Sequence, residues 1–214
     1  MKAFSSALVI LAIVVCPVVS GAEEPDKKIA DKKIADKKKV DQKDIDKGPK
    51  LKVGDQAPVF KIKDSNGKVI DLANLTAKGP VLVRLTCGCS GCDKELAYFQ
   101  ELHKAYQDKG LTSLAVFREP DEKVEKYVKQ KKLNMLYAVD TKGESWNVFQ
   151  TKTMPTNFLI GKGGNIVSVA AGCDPSGLLA TTLSGKVADL VKTEKVDVQA
   201  KVASKAEDQS KSKK

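Results

Sequence analysis

The chain has little of what several common classes of protein are built from. One of its 214 residues is histidine, one is tryptophan, and 5% are aromatic. A basic surface interleaved with base-stacking rings is therefore absent, and with it the footprint of a nucleic-acid binder. The net charge of +10 does not restore that footprint. Ten basic residues face eight acidic ones between 23 and 50, nineteen face fifteen between 51 and 191, and seven face four between 192 and 214. An excess spread this thinly reads as solubility, with at most a weak, unspecific attraction to anionic membrane surfaces. A long apolar run is also missing. The run from Ala7 to Val19 is too short to span a bilayer comfortably, and Pro17 interrupts its end.

That same run has another reading. Lys2 precedes it, and the small residues Ser20 and Ala22 follow it at the spacing of a cleavage site, so residues 1–22 are expected to be a secretory signal peptide. Export places the remainder in a periplasmic or extracellular setting. Cys16 raises the question of a lipid anchor, but the bulky Val15 before it argues against one. Residues 23–50 carry a five-residue repeat with aspartates at 26, 31, 36, 41 and 46. Five is neither a helical nor a strand period, and so polar a segment cannot bury enough surface to offset its ordering entropy; a disordered charged linker is expected. Residues 192–214, lysine-rich and free of aromatics, are expected to form a disordered tail.

Between them, residues 51–191 alternate short apolar strands with amphipathic helices, the pattern of an α/β domain with a mixed central sheet. Val59 to Ile62 and Lys68 to Ile70 flank Asn66-Gly67, a hairpin turn signal. Val81 to Thr86 is a β-branched, mostly apolar run suited to a strand buried on both faces. Leu96, Phe99, Leu102, His103 and Tyr106 share one face of a following helix, which makes His103 a hydrogen-bonded core or boundary residue. Further strands are expected at 111–117, 135–139, 157–160 and 166–170. Helices are expected at 121–131, 143–149 and 175–190, with Asp174 capping the last and Trp146 and Phe149 packing the short one onto the sheet.

Cysteine carries the chemistry. Cys89-Ser-Gly-Cys92 falls where the buried strand gives way to the long helix, so Cys89 should sit at a helix N-terminus. Unpaired N–H groups and the helix dipole favour a thiolate there, and the thiolate is the form that attacks disulfides. Cys92, one turn on, is placed to resolve the mixed disulfide. A structural disulfide and half of a zinc site are the competing readings of the same spacing.

The resemblance becomes specific further along. Cys89-Ser-Gly-Cys92-Asp-Lys-Glu95-Leu96, followed by Met154-Pro-Thr-Asn-Phe-Leu-Ile and Gly161-Lys-Gly-Gly-Asn-Ile, resembles the extracytoplasmic thioredoxin-like thiol–disulfide oxidoreductases and redoxins, related to the AhpC/TSA superfamily. The match runs from Gly54 to Gly172. It implies a thioredoxin fold with helices on both faces of the sheet and an N-terminal β-hairpin extension. It also implies a cis Pro155 facing the cysteines, with backbone groups of Met154 open to a substrate chain. Glu95 matches an acid of the motif and would assist proton movement near Cys92. The implied partners are a protein or small molecule bearing a disulfide or dithiol, and a redox partner protein. No cofactor is implied.

The chain departs from the pattern at Gly88, where an aromatic residue is common, between the cysteines, where a proline is often found, and at Arg84-Leu85, where an aromatic pair is usual. These changes leave redox poise and direction open. On the family topology Cys173 joins Cys87, Cys89 and Cys92 at one edge. The preferred pairing is then Cys89 with Cys92 and Cys87 with Cys173, and the alternative is a soft metal held by all four. A thiol peroxidase is a further alternative, because Thr86 stands three residues before Cys89 as in the peroxiredoxin pocket. That pocket also has a proline where this chain has Leu82.

Overall fold

A computed structural model of the chain describes residues 48–211, with side chains described through 208. The signal-peptide and spacer expectations for residues before 48, and Cys16, lie outside the described residues.

The element order is β1 (Lys61–Lys63), β2 (Val69–Asp71), α1 (Leu72–Lys78), β3 (Val81–Thr86), α2 (Ser90–Tyr106), β4 (Thr112–Phe117), α3 (Asp121–Lys131), β5 (Leu136–Val139), α4 (Glu144–Val148), β6 (Thr156–Ile160), β7 (Ile166–Ala171), α5 (Leu178–Val191) and α6 (Val198–Lys211). The main sheet is mixed and five-stranded, in the order β5-β4-β3-β6-β7. Strands β3, β4 and β5 run parallel, while β6 is antiparallel to β3 and β7 to β6. The first two strands form the expected hairpin, closed by Asp64, whose carboxylate accepts the N–H groups of Asn66 and Lys68 at 2.9 Å.

Strand β3 is buried at every residue. Its side chains alternate between two apolar layers, as the pleat requires. Val81, Val83 and Leu85 join Phe149, Phe158 and Trp146 on one face. Leu82 joins Phe99, Leu102, Phe117 and Leu183 on the other, beneath α2 and α5. Each such side chain contributes roughly 1.5–3 kcal/mol by leaving water, which explains why the strand holds the centre of the fold. Arg84 belongs by alternation to the α2 face, and what it does there shapes the site. His103 is buried on that helix, its Nδ1 3.1 Å from Ser113 Oγ, and burial lowers its pKa.

The structure corrects the sequence reading in three places. Helix α1 was not anticipated; its N-cap Asp71 accepts the Ala73 N–H at 3.0 Å. Helix α5 starts at Leu178 rather than Pro175, with Gly177 as N-cap. Asp174 still acts locally, its carboxylate accepting the N–H groups of Ser176 at 3.0 Å and Leu179 at 2.5 Å. The segment expected as a frayed tail from 192 instead forms α6, which packs on α2 and α5. Val198 is fully buried there. The Val196 N–H donates to Tyr106 Oη at 2.8 Å, and Ser184 Oγ donates to the Val196 carbonyl at 2.6 Å. Gln199 Nε2 also donates to the Ser176 carbonyl at 2.7 Å and Lys205 pairs with Glu101, so a helix of polar composition docks through one buried valine and several polar contacts.

Candidate active site

The chain turns from β3 into α2 through Cys87, Gly88 and Cys89. Cys89 is the N-cap residue of α2, in extended conformation, and it is exposed. Cys92 lies in the first turn and is 3% exposed, and Cys87 is 9% exposed. The sulfurs of Cys87, Cys89 and Cys92 all lie within 4.8 Å of one another. Within this group, the Cys87 and Cys92 sulfurs are 3.2 Å apart. The four cysteines of the described residues are free thiols.

The electrostatics separate these thiols. The Cys87 thiol, followed by the backbone N–H of Cys92, holds the Cys89 thiol below its ordinary value. Burial, reinforced by the neighbouring sulfurs, pushes Cys87 well above that value. Of these two, the exposed Cys89 is thus the one that carries charge more readily. Gly88 is held between the two cysteines by Glu119, whose Oε1 accepts the Gly88 N–H at 2.7 Å. Among the described residues the other oxygen, Glu119 Oε2, is buried with no hydrogen-bond partner. A hollow of about 260 Å³ adjoins Gly88, lined among others by Phe117, Glu119, Lys123 and Tyr127.

Beneath the cysteines, Arg84 and Glu95 form an ion pair, with side-chain exposures of 3% and 1%. Arg84 also donates to Asn157 Oδ1 at 3.1 Å, and its guanidinium lies 4.1 Å from the centre of the Phe99 ring. The second oxygen of Glu95 accepts the Asp174 N–H at 2.8 Å. Both carboxylate oxygens are therefore engaged, one tying α2 to β3 and the other tying α2 to the loop after β7. The expected proton carrier occupies a clamp.

The Met154–Pro155 bond is cis. Register places it: Leu85 of β3 pairs with Thr156 of β6, so Pro155 and Met154 continue alongside Thr86 and Cys87. Thr156 pairs in turn with Ala171, and the Gly172 N–H donates to the Pro155 carbonyl at 2.9 Å. Gly172 has a φ of 97°, a conformation that suits glycine, and it turns the chain into Cys173. Cys173 is exposed and its sulfur donates to the Gly91 carbonyl at 2.7 Å. It reaches the same edge as the other cysteines, yet it stands outside the group that shares a 4.8 Å neighbourhood. The preferred Cys87–Cys173 pairing and the four-sulfur metal set are therefore not what the structure assembles. Cys87 instead packs on Cys92, and a soft metal would find three sulfurs. Thr86 is buried, and its hydroxyl bonds the Cys87 carbonyl at 3.4 Å.

Sequence reasoning missed Glu119 and the partnership of Arg84 with Glu95. An arginine in an otherwise apolar strand was the available signal, because a buried guanidinium demands an acid. Glu119, thirty-one residues from the N–H it accepts, left no local signal.

The sequence model of the AhpC/TSA family matches residues 53–169. The chain belongs to the AhpC/TSA family. Its similarity to the thiol-disulfide oxidoreductase ResA of Bacillus thuringiensis subsp. konkukian (strain 97-27) is 35% identity over 127 residues, covering 59% of this chain and 73% of the relative. Among solved structures it is similar to a candidate thiol:disulfide interchange protein DsbE from Chlorobium tepidum, with TM-score 0.60 and 24% identity, covering 66% of this chain and 99% of that one. It is also similar to the thioredoxin domain of a thiol-disulfide oxidoreductase from Bacteroides vulgatus, with TM-score 0.56 and 25% identity, covering 64% and 99% respectively. The mixed sheet, the helices on both faces and the preceding hairpin make this AhpC/TSA member a thioredoxin-fold protein. Thiol–disulfide oxidoreduction is the class of chemistry that goes with these relatives.

Proposed function

We propose that the protein is an exported thiol–disulfide oxidoreductase of the cell envelope, with Cys89 as nucleophile and Cys92 as resolving thiol. The observation that carries this reading is the pairing of an exposed, acidified Cys89 at the N-cap of α2 with a buried Cys92 in the next turn.

In the reducing direction, the Cys89 thiolate attacks one sulfur of a substrate disulfide. A Cys89–substrate bond forms, the substrate bond breaks, and the other substrate sulfur leaves as a thiolate that takes up a proton. Cys92 then gives up its proton and attacks Cys89 Sγ. The Cys89–Cys92 bond forms, the substrate leaves as a dithiol, and the protein has lost two electrons. Run backwards, the same steps oxidise a substrate dithiol. A redox partner protein resets the pair in either direction. The edge beside Met154 and the hollow at Gly88 offer backbone groups and apolar surface to an extended substrate segment. Glu95 and Pro155 act as positioning residues, Glu95 through Arg84 and the Asp174 N–H, Pro155 through the Gly172 N–H.

Export is supported by the Met1 to Ala22 pattern, and among the described residues no helix is long and apolar enough to cross a membrane. The organisation we propose is a signal peptide over 1–22, a charged spacer to about Lys50, and a thioredoxin-fold domain beyond it. The Thr86 hydroxyl donates to the Cys87 carbonyl at 3.4 Å and Leu82 stands where the peroxiredoxin pocket has a proline, which weighs against the peroxidase alternative. The test is dithiol exchange with oxidised glutathione by the full chain. Cys89→Ser and Cys92→Ser are each expected to abolish it, and exchange at the wild-type rate in Cys89→Ser would refute the assignment.

A further inference from the structure

The contact between Cys87 and Cys92 is not needed by a two-cysteine cycle. Cys87 follows the central strand, Cys92 lies in the first turn of the helix, and their sulfurs are already 3.2 Å apart in the interior. Cys89 lies within 4.8 Å of both. Disulfide exchange requires three sulfurs in reach of one another, a nucleophile, a central atom and a leaving group. The trio supplies all three, with Cys92 as the central atom.

We propose that the oxidised protein exchanges between two disulfide registers, Cys89–Cys92 and Cys87–Cys92, through attack of Cys87 on Cys92. This rests on the functional reading above, which supplies the Cys89–Cys92 bond. In the step, Cys87 Sγ loses its proton and bonds Cys92 Sγ, the Cys89–Cys92 bond breaks, and Cys89 leaves as a thiolate. The proton ends on Cys89 or in solvent. One disulfide is lost and one is gained, so no oxidant or reductant is consumed. The leaving sulfur is the one the helix N-terminus stabilises as an anion, so the direction away from Cys89 has a good leaving group.

The two registers differ in access. A Cys89–Cys92 bond has an exposed sulfur that a reductant or a substrate thiol can attack. A Cys87–Cys92 bond joins two buried sulfurs and hides the oxidising equivalent while freeing Cys89 as a nucleophile. Cys87 is thereby a third redox residue, and the second register a store that is released by Cys89 attacking Cys92 in return.

The experiment uses the full chain, oxidised with oxidised glutathione, quenched in acid, denatured and alkylated with N-ethylmaleimide. Trypsin leaves Leu85 to Lys94 as one peptide holding Cys87, Cys89 and Cys92, while Cys173 falls on another. Fragmentation of the first peptide locates its label. A single label found on Cys89 in part or all of the peptide is the expected result. A single label confined to Cys87, or one on Cys92, overturns the second register; label confined to Cys87 leaves the working pair standing. Three labels mean that no disulfide formed and overturn both. In Cys87→Ser, treated identically, the peptide is expected to carry no label because Cys89 and Cys92 stay bonded, and two labels there would overturn the working pair on which the second register rests.

Discussion

Arg84 and Glu95 form a buried ion pair directly beneath the cysteine-bearing turn, and Glu95 uses its remaining oxygen to hold the backbone of Asp174. One pair of charges therefore fixes the positions of three segments: the end of β3, the start of α2 and the loop that carries Cys173.

Breaking this pair from one side leaves a charge in an apolar layer. Glu95→Leu is expected to destabilise the protein by about 3–5 kcal/mol, whereas the double change Arg84→Met with Glu95→Leu should cost much less than the sum of its parts. Urea denaturation of the three variants checks this. Simple additivity would show that the two side chains do not act as a unit.

The position of Cys89 predicts a pH profile. Its thiol is held below the ordinary value, first by the Cys87 thiol and then by the Cys92 N–H, so its thiolate is fully formed at a lower pH than that of a free cysteine. Alkylation of Cys89 by iodoacetamide should accordingly reach its plateau below the range typical of thiols. Cys87→Ala removes the leading stabiliser, so the midpoint should move upward. A downward or absent shift, followed residue by residue by mass spectrometry, would contradict the stated cause.

Helix α6 predicts a stability effect. Deleting residues 194–214 removes the buried Val198 and the Val196 bonds to Tyr106 and Ser184. Burial of one valine and two hydrogen bonds amount to about 2–4 kcal/mol, equivalent to a fall in melting temperature of roughly 4–15 °C. Thermal denaturation followed by circular dichroism measures it, and an unchanged melting temperature would mean that α6 does not dock.

That helix also shows where reading from sequence stops. Strand β3, helix α2 and the first hairpin are local statements: a mostly apolar run rich in β-branched residues, a repeated apolar face, an Asn66-Gly67 turn. The cysteine pair and the element boundary that holds it were legible for the same reason. Residues 192–214 are polar by composition, and the helix at 198–211 is held by contacts that composition does not show, among them Val196 on Tyr106 and Lys205 on Glu101. Asp174 was recognised as a capping acid, but Gly177 with its φ of 82° delays the helix by a turn. In the site, the pairing of Cys87 with Cys92 rather than Cys173 depends on where the loop after β7 stops, and Glu119 reaches Gly88 across a strand and a loop. Such relations are set by tertiary packing, which spacing does not encode.

The central claim is that Cys89 meets the substrate first. Cys92→Ser in the full chain, exposed to oxidised glutathione and analysed by peptide mass mapping, tests it most directly, because loss of the resolving thiol leaves the first mixed disulfide in place. The account predicts a glutathione adduct on Cys89. An adduct on Cys87 or Cys173, with Cys89 unmodified, would contradict it.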